Sequence, residues 1–111
     1  MGKRTSYTAL LILASLADTD RHGYAIKKDI AERSGGTVRL GSTTLYRLLG
    51  QLLDEQLIEE SAARPARHLD DERRRYFRIT PAGRQALADE TRLLERVLLA
   101  VRPPLAPRGR A

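Results

Sequence analysis

The residues in this chain that could do chemistry fall into two groups. The first is Ser42, Thr43, Thr44, Tyr46, Arg47 and Gln51. Three hydroxyls stand in succession, a phenol and a guanidinium follow within the next turn, and a carboxamide comes one turn later. The second group is Arg67, Arg73, Arg74 and Arg75. Neither group is equipped to make or break bonds. Hydroxyls beside the free backbone N–H groups of a helix start suit anions such as phosphate. A guanidinium adds two parallel donors that match a phosphate or the edge of a guanine. Acids, bases and nucleophiles are not arranged as a catalytic set, and no Gly-rich phosphate loop or metal-ligand spacing is present. The chain has no Cys, which excludes disulfides and thiolate metal sites. Its two histidines, His22 and His68, are far apart and have no ligand-like neighbours. The sequence therefore predicts a binding protein, with no catalytic residue, metal or cofactor.

Charge points the same way. The net charge is +6 over 111 residues, and its distribution matters more than its size. Residues 1–61 hold equal numbers of basic and acidic side chains, whereas the excess lies in residues 62–84 and the tail. Every cation in residues 62–84 is Arg rather than Lys, and Arg is the better bidentate partner for phosphate. A basic patch by itself fits an acidic protein surface or an anionic membrane as well as nucleic acid. No apolar run reaches the roughly 18 residues of a membrane span, and the apolar stretch near the N-terminus is too short for a secretory signal. The expectation is a cytoplasmic protein that stays out of membranes.

These side chains need elements to hold them. One domain of this length has room for one core, and with aromatics at 5% that core must be mostly Leu, Ala, Ile and Val. Around the first group, Leu45, Leu48, Leu49, Leu52 and Leu53 recur at helical spacing. A helix of roughly 13 residues follows, with Ser42 as its N-cap and the polar residues on its outer face. Such a helix also occurs with an outer face that is merely solvated. Ahead of it, YTALLILASL predicts a buried first helix, and Asp18 to Arg21 a polar turn. His22-Gly23-Tyr24 opens a second helix with Tyr24, Ile26, Ile30 and Ala31 inward and Lys27, Lys28, Asp29 and Glu32 outward. Ser34-Gly35-Gly36 stops that helix. Beyond the third helix, LIEES and ERRRYFRIT read as two strands of a hairpin joined by a basic loop. Thr80 caps and Pro81 opens a last helix through Val101, and the Pro/Arg-rich residues 103–111 are expected to be disordered. Helix, helix, helix, strand, loop, strand, helix is the order of a winged helix-turn-helix, mainly α with a small β-hairpin (α+β). The division expected is a winged-helix domain over residues 1–81, a dimerisation helix over 82–102 and the tail.

The chain resembles the PadR family of transcriptional regulators, in its compact branch with a single C-terminal helix. The resemblance rests on His22-Gly23-Tyr24 followed by Ile26-Lys27, on Thr43-Thr44-Leu45-Tyr46-Arg47-Leu48, on Leu57-Ile58-Glu59, and on Arg73 to Thr80 with Gly83. Four motifs in order cover roughly residues 7–88. Two positions depart from the family pattern. Gln56 stands where the family usually has Gly, and Ser42 where it often has Pro. A left-handed backbone at residue 56 would cost Gln about 1 kcal/mol relative to Gly.

The resemblance implies a DNA-binding regulator, a repressor in function, acting as a homodimer on double-stranded DNA with an inverted repeat. It also implies possible relief by a small aromatic effector near the dimer interface, although few aromatics are available to line a pocket. The alternative is a winged-helix module that binds proteins without reading DNA; the basic face and wing argue for DNA. DNA contacts are assigned to Ser42, Thr43, Thr44, Tyr46, Arg47, Gln51, Arg67, Arg73, Arg74 and Arg75. For Tyr46 the competing role is packing under the wing, and for Arg47 a solvated charge. Alternation along a strand keeps Arg73, Arg74 and Arg75 from facing one way, so at least one is expected to pair with Asp70, Asp71 or Glu72. His22 reads as a structural residue that caps or packs, with pH sensing as the alternative, and Gly23 as a point of close helix approach. The dimer seam is assigned to Leu87, Thr91, Leu94, Val97, Leu98 and Val101, a near-heptad stripe wider than one small domain covers.

Overall fold

The computed structural model describes residues 5–61 and 75–101. Arg67, His68, Arg73, Arg74 and the expected loop and tail lie outside them. Four helices and three short strands follow in the order α1 (Tyr7–Leu16), β1 (Arg21–His22), α2 (Gly23–Arg33), α3 (Ser42–Asp54), β2 (Ile58–Glu60), β3 (Tyr76–Ile79) and α4 (Pro81–Val101). This is the expected helix-turn-helix and hairpin, with one strand the sequence did not reveal. β3 is central in a sheet ordered β1-β3-β2, antiparallel to both neighbours. Arg21 and His22 pair with Phe77 and Tyr76. Two residues are too few to show a period, and only the pairing defines them as a strand.

The core forms where the three helices meet the sheet. Ile12, Leu13, Leu16, Ile26, Ile30, Leu45, Leu49, Ile58 and Phe77 are almost wholly excluded from water. α1 begins at Ser6, whose Oγ accepts from the Ala9 N–H at 3.2 Å, and its Leu/Ile faces supply much of this cluster. α2 buries Gly23, Ile26 and Ile30. That stripe corrects one expectation: Tyr24, taken as core, is 68% exposed. It lies two residues before Ile26, about 200° round the helix, and so faces solvent. α2 ends as expected, with Gly35 at φ +62° and Gly36 at φ +84°. The Gly36 and Gly35 N–H groups close back on the carbonyls of Ala31 and Glu32.

The start of α3 needs a second correction. Gly41 is the N-cap and no side chain caps the helix; Ser42 is its first helical residue. The end of α3 carries the chain into the wing. Gln56 has φ +62°, its N–H reaches the Leu53 carbonyl at 3.0 Å, and the Leu57 N–H reaches Leu52 at 3.0 Å. This is the double bond pattern of a left-handed helix stop, kept here without glycine. Thr80 Oγ1 donates to the Gln56 carbonyl at 2.7 Å and accepts from the Gly83 N–H at 3.0 Å. One hydroxyl thus ties the end of α3 to the start of α4, and Thr80 caps α4 as expected. Gly83 lies so close to the Leu57 carbonyl that a β-carbon would overlap it. No described helix is long and apolar enough to cross a membrane.

Candidate nucleic-acid interface

α3 presents its polar face because Leu45, Leu48, Leu49 and Leu52 take the other one into the core. Ser42, Thr43, Tyr46, Arg47 and Gln51 are exposed and Thr44 is half-buried. Arg47 forms no ion pair among the described residues, so its donors stay available to a ligand. Tyr46 is 43% exposed. Its hydroxyl end presses on Gly23 at the start of α2.

α2 adds residues that sequence reasoning left out of the site. Lys27 Nζ donates to Ser42 Oγ at 3.3 Å and so bridges the two helices of the motif. Tyr24, Lys27, Lys28, Ala31, Arg39 and Leu40 line a shallow cleft of about 240 Å³. Lys27, Lys28 and Arg39 therefore gather at one cleft beside the start of α3, and Arg47 adds a further cation on the exposed face of α3; together they make a cationic band with no ion pair among the described residues to neutralise it. Lys27 and Lys28 were legible as an outer face. That this face adjoins the start of α3, and that Arg39 joins it from the intervening loop, is tertiary information.

Other arginines are already engaged. At the rear of α2, Arg33 Nε donates to Asp29 at 2.6 Å. Arg21 lies 3.6 Å from Asp29 and 3.5 Å from Asp18, and its Nε donates to the Ser15 carbonyl at 2.7 Å. Burial would raise the Asp29 pKa, but the Arg33 hydrogen bond and the charges of Arg21 and Arg33 outweigh it and hold the carboxyl below its ordinary value. The same contact with Asp29 raises Arg33 against the burial that lowers it. In the wing, Arg75 Nε donates to Glu60 at 2.9 Å, and its guanidinium lies 5.3 Å from the centre of the Phe77 ring. Arg78 pairs with Glu59 at 2.9 Å, directly across the strands. Arg75 thus has an ion pair, but with Glu60, which is not one of the acids expected to hold a wing arginine. Arg67, Arg73 and Arg74 lie outside the described residues, as do Asp70, Asp71 and Glu72.

His22 caps α2: its Nδ1 accepts from the Ala25 N–H at 3.2 Å. Its ring also meets Tyr76 edge-on, at 5.2 Å between centroids. The structural reading of His22 therefore holds. Among the described residues no three His, Cys, Asp or Glu side chains gather to hold a metal.

α4 divides into two halves. Leu87 and Ala86 are partly buried against the core cluster, and the helix packs on α1. Beyond Thr91, Leu94, Val97, Leu98, Leu99 and Val101 are 41–58% exposed. Asp89, Arg92, Leu93, Glu95, Arg96 and Leu99 line one open side of this half of α4.

A helix-turn-helix, a β-hairpin wing and an apolar terminal helix are the parts of one group of regulators. The transcriptional regulator PadR-like family model matches residues 12–89. The chain belongs to the PadR-like family. A transcriptional regulator of Mycobacterium tuberculosis is 36% identical over 87 residues, covering 78% of this chain and 74% of that protein. A 37.1 kDa protein of transposon Tn4556 from Streptomyces fradiae is 39% identical over 95 residues, covering 85% of this chain but 25% of its own length. The chain thus spans about a quarter of that relative. Among solved structures, a transcriptional regulator from Clostridium thermocellum superposes with a TM-score of 0.71 at 26% identity, covering 87% of this chain and 91% of that one. PadR of Bacillus subtilis, solved in complex with operator DNA, has a TM-score of 0.64 at 23% identity, covering 78% of this chain and 47% of that one. At that identity the likeness speaks for the fold alone.

Proposed function

We propose that this PadR-like chain is a homodimeric repressor that binds an inverted repeat in double-stranded DNA. The observation that carries the reading is the cationic, hydroxyl-rich band over α2 and α3, whose cations are unneutralised among the described residues. A helix that enters the major groove start first brings Ser42, Thr43 and Thr44 to the backbone and base edges. Arg47, one turn deeper, reaches a guanine edge or a phosphate with two parallel donors. Lys27, Lys28 and Arg39 flank the groove and suit the backbone, which fixes orientation without reading sequence. Arg67, Arg73 and Arg74 belong to the proposed wing contact. Arg75 joins it with a guanidinium already oriented by Glu60.

The exposed stripe of α4 supplies the second half of the proposal. Leu94, Val97, Leu98 and Val101 would bury against the same residues of a second copy, with Leu87 and Thr91 at the edge nearer each core. A two-fold pair of this kind sets its reading helices about 34 Å apart, one turn of DNA. A small aromatic effector bound beside α4 would alter that spacing and release the operator. The test is selection of duplexes from a random-sequence pool, followed by footprinting and transcription in vitro. Recovery of an inverted repeat, protected on one face and silencing a promoter that overlaps it, is the expected result. A pool that yields no enriched sequence at low salt would overturn the reading.

A further inference from the structure

Gly23 is buried at the first position of α2, yet its backbone does not call for glycine. Among the described glycines only Gly35 and Gly36 have positive φ. Space, rather than conformation, excludes a side chain here. A β-carbon on residue 23 would collide with the Tyr46 hydroxyl oxygen, stand 2.9 Å from its Cζ and lie 3.4 Å from Leu45 Cδ2. Leu45 is fully buried in the core cluster. Tyr46 is half-exposed, and its phenol is the far end of a side chain that turns about two torsions. The phenol is therefore the group that would yield. It would leave α2 and swing outward, onto the surface it shares with Thr43 and Arg47.

We propose that Gly23 is a positioning residue for the reading face: by lacking a side chain it parks the Tyr46 phenol against α2 and leaves the outer surface of α3 clear for DNA. The proposal rests on the DNA-binding reading above. It differs from a simple packing role, because the fold tolerates the displaced ring while recognition does not.

The test has two arms. In solution NMR of the wild-type chain, the Tyr46 ring protons should show nuclear Overhauser contacts to the Gly23 α-protons. In Gly23→Ala those contacts to residue 23 should vanish. In the binding arm, with the best duplex from the selection as probe, Gly23→Ala should weaken affinity tenfold or more while its melting temperature stays within a few degrees of wild type. Adding Tyr46→Ala should remove the penalty, so that Gly23→Ala/Tyr46→Ala binds as Tyr46→Ala does, a non-additivity that only coupled positions show. Equal penalties for Gly23→Ala in both backgrounds would refute the pairing, and so would a Tyr46 ring that still contacts the methyl group introduced at position 23. A wild-type chain that enriches no duplex would overturn the DNA-binding reading and the positioning role with it, while the NMR arm would still report where the ring lies.

Discussion

Arg47 and Asp29 are both charged residues of the helix-turn-helix, and their surroundings give them opposite uses. Arg47 is exposed and forms no ion pair among the described residues, so its donors are not spent on the fold. Arg47→Ala should cost about 1–3 kcal/mol of binding and flatten the preference at one half-site position if it reads a base edge. Uniform weakening across sequences would mark it as a phosphate contact, and a binding titration against single-base variants of the selected duplex separates the two. Asp29 is held between Arg33 and Arg21 and contributes to the fold instead. Its folded pKa lies below the ordinary carboxylate value, so its stabilisation is present above the unfolded pKa near 4 and fades as pH falls through the lower folded value. Asp29→Asn should therefore lower stability by about 1–2 kcal/mol at pH 7. Urea melts at pH 7 and pH 3 should show the gap between variant and wild type closing in acid.

At the level of elements, the turn from α3 into the wing carries the one non-glycine residue in left-handed conformation among those described, Gln56. Gln56→Gly relieves a β-carbon clash and costs some chain entropy, so a net gain of about 0.5–1 kcal/mol is expected in thermal or urea unfolding, with DNA affinity unchanged. No gain would mean that neighbouring contacts absorb the strain. α4 offers a sharper contrast. Leu94→Asp with Leu98→Asp should leave the core intact, because both side chains are exposed in the single chain. Light scattering should then report a monomer, and operator affinity should fall by orders of magnitude with the second half-site lost. A dimer that survives both charges would move the interface elsewhere. Most elements were legible in the sequence because period and punctuation agreed: leucines at helical spacing in α3, glycines after α2, Thr-Pro before α4. Three features were not. β1 is too short for a pattern and exists through its pairing with Phe77 and Tyr76. Tyr24 has an aromatic's propensity for burial, but its place on α2 turns it outward. The α3 cap fell to Gly41 because Ser42 has already entered the helix, where its hydroxyl meets Lys27. The exposed polar face of α3 in the candidate site was legible for the same reasons, and the cations beside it were not all legible, since Arg39 joins Lys27 and Lys28 only when the loop folds back beside α2.

For the whole molecule, the cationic band and wing make binding a counterion-release process. Each phosphate contact lowers log K by about 0.9 per unit of log salt, so a dimer should show a slope of roughly −5 to −8. Affinity that persists with a slope near zero would contradict an electrostatic footprint. Gly83, wedged against the Leu57 carbonyl at the foot of α4, also gives the molecule a gear ratio. From that fulcrum the helix extends about 27 Å to Val101 at 1.5 Å per residue. A tilt of about 5° at the wing's base becomes a sweep of roughly 2 Å at the tip. In a pair joined near those tips, the transmission runs backward as well. A small molecule that shifts one tip by about 2 Å would rotate its wing through only about 5°, and the two halves of the operator would fall out of step.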